Sequence, residues 1–139
     1  MAALLEHANF TVSDTHATAA WMKDIFGWHV RWQGDAIDGG HTVHVGTDER
    51  YVALYTPASP LNQRGSSYTH IGGLNHIAVV VDDLEDIEAR VQRQGFQAGR
   101  HHDYEPGRRF YFHDADDISY TTKFRLRLSA QALGPRAIH

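Results

Sequence analysis

The segment Gly73-Leu74-Asn75-His76-Ile77-Ala78-Val79-Val80-Val81-Asp82-Asp83-Leu84 decides the reading of this chain, because Leu5-Glu6-His7-Ala8-Asn9-Phe10-Thr11-Val12 says the same thing earlier. In both, a Leu-x-His triplet opens a run with apolar residues at alternate positions. These are Ala8, Phe10 and Val12 in the first run, and Ile77, Val79 and Val81 in the second. Alternation of period two marks a half-buried strand. Successive strand side chains point to opposite faces, so His7 and His76 fall on the face opposite the apolar one.

A helix is predicted after each strand. Ser13 or Asp14 can cap the first, along which Ala17, Trp21 and Ile25 recur at helical spacing. Asp83 can cap the second, with Leu84, Ile87 and Val91 as its stripe. Gly27 and Gly95 stand where each helix needs a left-handed residue to end it. Three short strands then complete each half: 28–33, His41–Gly46 and Tyr51–Thr56, and 96–103, 108–113 and 118–125. Gly39-Gly40 and Pro106-Gly107 mark matching turns. The pairs His7/His76, Gly27/Gly95 and Gly40/Gly107 are separated by 69, 68 and 67 residues. Near-constant offsets of this kind indicate a duplicated βαβββ unit.

The expected organisation is one α+β domain with a first module at 1–56, a linker at 57–73, a second module at 74–127 and an irregular tail at 128–139. A chain of 139 residues can build one real core. The net charge of −4 advertises neither nucleic acid nor an anionic membrane as partner, and no apolar run is long enough to span a bilayer. With no cysteine there is no disulfide, thiolate-bound metal or thiol nucleophile. The start, Met1 to Glu6, lacks the pattern of a secretory signal, so a cytoplasmic location is expected.

The duplicated layout with Leu-x-His opening each unit, and the later run Gly107-Arg108-Arg109-Phe110-Tyr111-Phe112-His113-Asp114, resemble the vicinal oxygen chelate superfamily of glyoxalases, bleomycin-resistance proteins and extradiol dioxygenases. The resemblance covers residues 4 to about 124. It implies curled mixed sheets that form a cup around a small molecule, often in a homodimer whose modules pair within a chain or swap between chains. In metal-dependent members a divalent ion (Zn, Ni, Mn or Fe) sits at the base of the cup, and others work without metal. The resemblance places metal ligands on the first and last strands of each half. Carried onto this chain, these positions are His7, His76, Ala53 and Thr121. Alanine has no donor atom, and threonine is a poor ligand for a hard cation without a carboxylate beside it. The chain departs from the metalloenzyme pattern at both last-strand positions.

Strand alternation supplies further lining candidates. Phe110 and Phe112 make the apolar face of their strand, so Arg109, Tyr111 and His113 share the other. Val43 and Val45 likewise leave Thr42 and His44 on the polar side, Tyr51 and Tyr55 flank Ala53, and Ser119 and Lys123 flank Thr121. Arg109 with Tyr111 suits a carboxylate or phosphate, because guanidinium offers a planar fork of donors. Glu49, Glu105 and Asp117 lie in predicted turns. Trp21, Trp28 and Trp32 read as core or dimer contacts and not as a stacking platform. The acidic run Asp82, Asp83, Glu85, Asp86 and Glu88 reads as a solvated helix start. Asp114, Asp116 and Asp117 lack the later glutamate of a calcium loop. His101 and His102 point oppositely and cannot chelate together.

Three functions fit this reading. One is a binder of a small organic molecule in the cup through His44, Tyr51, Tyr55, Arg109, Tyr111 and His113. The second is a divalent-metal-dependent lyase, isomerase or dioxygenase using His7 and His76. The third is a non-catalytic structural or partner-binding dimer. The first two require the imidazoles of His7 and His76 to converge on a shared hollow.

Overall fold

A computed structural model of the protein describes residues 1–62, 65–104 and 107–125. Glu105, Pro106, the end of the second module and the 128–139 tail lie outside the described residues. The order of elements is β1 (His7–Thr11), α1 (Thr15–Phe26), β2 (His29–Asp35), β3 (His41–Gly46), β4 (Tyr51–Thr56), β5 (Ile77–Val81), α2 (Leu84–Arg93), β6 (Ala98–Tyr104), β7 (Gly107–His113) and β8 (Ser119–Phe124). Short 3-10 turns occupy Ile37–Gly39 and Ser67–Thr69, the latter inside the segment expected to be plain loop.

The strands form two four-stranded sheets, β1-β4-β3-β2 and β5-β8-β7-β6. In each, the first strand runs parallel to the fourth and the remaining pairs are antiparallel. The α+β duplication is thus present in three dimensions. The copies differ slightly at their openings: His7 begins β1, whereas His76 lies one residue ahead of β5.

Both helices begin and end as their residues require. The Asp14 carboxylate accepts from the His16 and Ala17 N–H groups at 3.0 and 3.1 Å. Asp83 accepts from the Asp86 N–H at 3.0 Å. Gly27 and Gly95 adopt φ of 73° and 83°, the left-handed region open to glycine. Ser13 is not the cap: its N–H donates to the Asp116 carboxylate at 2.9 Å and ties the start of α1 to the second module.

The expected stripe on α1 needs correction. Trp21 and Ile25 are buried, but Ala17 is exposed and the buried set is Thr15, Thr18, Ala19, Trp21, Met22 and Ile25. This is wider than one amphipathic stripe because α1 serves two sheets. It packs on β3 and β4 of its own module, while the Trp21 indole meets Phe96, Phe112 and Tyr120 of the other edge-to-face at 5.2, 5.9 and 5.0 Å. The stripe on α2, Leu84, Ile87 and Val91, is buried as expected. Arg90 donates to the Ile25 carbonyl at 3.3 Å and Gln94 to the Asp24 carboxylate at 3.2 Å, linking the helices.

Tyr120 completes this core. Its side chain is buried, and its hydroxyl donates to Asp114 at 2.8 Å. Burial pushes both the phenol and the Asp114 carboxyl above their usual ranges. Asp114 also accepts from the Asp116 and Ile118 N–H groups, so the acidic run there closes a turn. Both sheets present their apolar faces to one shared helical layer, and their polar faces turn away from it.

Replacing Trp21 by alanine leaves a hole between four aromatic neighbours, and we expect a loss of about 3–5 kcal/mol in unfolding free energy. Urea unfolding followed by circular dichroism measures it; a loss below about 1 kcal/mol would contradict the wedging role assigned to this indole.

Candidate functional site

The polar face of the first sheet is a field of rings. Tyr51, Ala53 and Tyr55 alternate with buried Val52 and Leu54, and Thr42 and His44 alternate with buried Val43 and Val45. Register places His7 across from Tyr51, and sets Ala53 between Asn9 and His44. The rings of His7 and Tyr51 stack at 4.8 Å, those of Tyr51 and His44 at 4.9 Å, and Trp32 meets His44 at 5.2 Å. The Arg31 guanidinium lies 4.2 Å over Tyr51. Tyr55 serves the turn instead: its hydroxyl donates to the Ile37 carbonyl, and its ring fills the space a side chain at Gly40 would need.

Of the two alternatives read for Trp32, core or dimer contact, the first is corrected: it is 51% exposed and lies on the polar face beside His44. The register shifts between Val30, which pairs with Val45, and Trp32, which pairs with His44. Arg31 is the extra residue of this bulge, and one extra residue moves every later side chain to the opposite face. No sequence pattern marked the bulge. Trp21 is core, and Trp28 packs against it half-buried, as read.

Electrostatics reinforce the ring cluster. Glu6 accepts from His7 Nδ1 at 3.0 Å and from the Tyr51 hydroxyl at 3.2 Å. The bond from His7 chiefly, and that from Tyr51, hold the Glu6 carboxyl below its ordinary value. Desolvation, and then Glu6, push the Tyr51 phenol up. Desolvation, with smaller repulsion from His7 and Arg31, lowers His44 and favours its neutral ring.

A carboxylate can only accept, so the proton of this bond sits on His7 Nδ1. His76 repeats the device, with Nδ1 at 2.9 Å from the Asn75 amide oxygen. An oxygen-bearing side chain precedes each histidine in the sequence, a signal that the spacing argument passed over.

On the second sheet Arg109, Tyr111 and His113 alternate with the buried Phe110 and Phe112, as strand parity predicts. Arg109 Nε donates to the Tyr111 hydroxyl at 3.1 Å. Lys123 stands directly across from Arg109, Thr121 across from Tyr111, and Ser119 across from His113. Tyr111 and His113 line an open depression of about 330 Å³ with Gln97, Ala98, Gly99 and Asp117. His101 and His102 diverge as expected. The first meets Glu88 of α2 at 2.6 Å, and the second lies edge-on to Tyr111 at 5.8 Å.

These residues do not make a three-ligand metal centre. Ala53 is 1% exposed and offers no donor, and the Thr121 hydroxyl is buried without a hydrogen-bond partner. Among the described residues no group of three or more His, Asp or Glu side chains gathers to hold an ion. His7 contacts Glu6, His44 and Tyr51, while His76 contacts Asn75. His7 lies on the first sheet and His76 one residue ahead of the second, and among the described residues no strand of one sheet pairs with a strand of the other.

Comparison with known proteins agrees with the architecture. No curated protein sequence matches the chain. Among solved structures, a glyoxylase/bleomycin resistance protein/dioxygenase domain from Frankia sp. EAN1pec superposes with a TM-score of 0.74 at 18% identity, covering 91% of this chain and 99% of that one. The fosfomycin resistance protein FosX from Mesorhizobium loti gives 0.65 at 20% identity, covering 88% and 92%. A mutant FosX from Listeria monocytogenes, complexed with Mn(II) and 1S,2S-dihydroxypropylphosphonic acid, gives 0.67 at 17% identity, covering 91% and 95%. The family model of the Glyoxalase/Bleomycin resistance protein/Dioxygenase superfamily matches residues 4–120. With its duplicated βαβββ modules and this match over most of its length, the chain belongs to that superfamily.

Proposed function

We propose that the protein binds a small organic molecule against these polar faces, and that its hollow is closed between two copies of the chain. In this homodimer the first sheet of one copy faces the second sheet of its partner. The supporting observation is the shared helical layer: it takes up both apolar faces, so ring-bearing and cation-bearing faces turn outward within one chain. Among the described residues the outer strands β1 and β5 each keep one unpaired edge, and such edges invite pairing with another chain. Val80 on β5 is 56% exposed, and Leu4 and Leu5 stand exposed ahead of β1. A small-molecule binder of this composition, free of cysteine, suits the cytoplasm. No described helix is long and apolar enough to cross a membrane.

Ala53 favours binding without a resident metal, because the deepest polar-face position of β4 lacks a donor. A second reading has its own support. The duplicated tether takes up Nδ1 of both His7 and His76 and leaves Nε2 as the remaining ring nitrogen, and FosX from Listeria monocytogenes is solved with Mn(II). There a divalent ion would rest on two imidazoles and a ligand of another kind, in a lyase, isomerase or dioxygenase.

Sedimentation should find a dimer, with Val80→Glu shifting the equilibrium to monomer while leaving the circular dichroism spectrum unchanged. A monomeric parent at micromolar concentration would rule out closure between copies. After exhaustive dialysis, elemental analysis should show less than one equivalent of Zn, Ni, Mn or Fe per chain. One retained equivalent, lost in His7→Ala or His76→Ala, would establish the metal reading instead.

A further inference from the structure

Four rings run in unbroken contact across all four strands of the first sheet: Trp32 on β2, His44 on β3, Tyr51 on β4 and His7 on β1. We infer that this ribbon is a stacking platform, and that the ligand is a planar aromatic acid whose anionic group is met by the cationic face of the second sheet. The inference rests on the binding reading above and specifies the class of ligand.

Three features separate the ribbon from ordinary sheet packing. The first is the bulge at Arg31. Without it, Trp32 would share the face of Val43 and join the core; with it, a half-exposed indole stands on the polar side. Bulges re-aim side chains in this way near binding sites. The second is Gly34. A Cβ there would lie 2.8 Å from Trp32 Cζ2 and 2.9 Å from Cη2, so the indole is laid down over a glycine. The backbone leaves a seat that positions the plate before any ligand arrives. The third is the second module, which serves as an internal control. It has its own bulge between Gly99 and His102, and the His102 ring meets Tyr111. Among the described residues the rings do not continue onto β8, which carries Ser119 where the repeat has Tyr51. The fold does without the full ribbon in one copy, so packing alone does not demand it in the other.

Charge supplies the second half of the inference. Arg109 and Lys123 stand directly across from each other on the polar face of the second sheet. A ring stacked on Trp32 and a carboxylate between these cations match the two faces that the proposed dimer brings together. Arg31 over Tyr51 adds positive potential on the ring side.

Isothermal titration calorimetry on the full chain with 2-naphthoate and cyclohexanecarboxylate separates the contributions. The parent should bind 2-naphthoate about tenfold more tightly than the non-planar acid, the scale of one good aromatic stack. Trp32→Leu should remove that preference. Gly34→Ala keeps the indole but displaces it, and should do the same. Arg109→Gln should weaken both acids alike. Trp32 is half-exposed, so the leucine variant keeps the core, and thermal unfolding checks both variants. If both acids bind through Arg109 without preference, or if neither variant alters the preference, the platform is overturned and the binding reading stands. If neither acid binds at millimolar concentration, both readings fall for aromatic acids.

Discussion

The burial of Trp21 is the constraint on which the rest of the molecule depends. One indole leaves the helix of the first module and takes up edge-to-face positions among Phe96, Phe112 and Tyr120 of the second. Edge-to-face pairs add to the gain from burying apolar area, and they impose an orientation that aliphatic packing would not. Because α1 must cover its own sheet and also deliver Trp21, the helices form a common layer. The outward direction of both polar faces is a consequence of that layer.

The two copies have diverged on those faces while keeping a common core. Phe110, Phe112 and Tyr120 correspond to the smaller Val43, Val45 and Val52, and Trp21 fills the volume between the halves. On the polar side the first copy accumulates rings and a carboxylate tether, and the second accumulates cations. Neither keeps a carboxylate on its last strand. A hard divalent ion needs oxygen donors, and Ala53 with Thr121 offers at most one hydroxyl. What these faces carry is rings, cations and two histidines whose Nδ1 is held by Glu6 and Asn75.

Much of this was legible in the residues. The period of two, the caps at Asp14 and Asp83 and the glycines after each helix are local signals, and each acts through bonds within a few residues. The alternation that set Arg109, Tyr111 and His113 opposite Phe110 and Phe112 is equally local. Ala17 was misjudged because a single helical stripe assumes one packing partner, and α1 has two. The core alternative for Trp32 failed because strand parity holds only as far as the strand is regular, and the bulge at Arg31 leaves no mark in composition or spacing.

The amino-acid sequence alone therefore determined the duplicated βαβββ plan, the caps, the apolar faces and the absence of carboxylates at 53 and 121, since these follow from residue type and short-range periodicity. Tertiary structure decided how the copies meet, which way their polar faces look and that Trp32 joins His44, Tyr51 and His7. Those outcomes depend on how Trp21 packs against distant residues and on a one-residue register shift, and both are settled by the free energy of the whole core and not by any short segment.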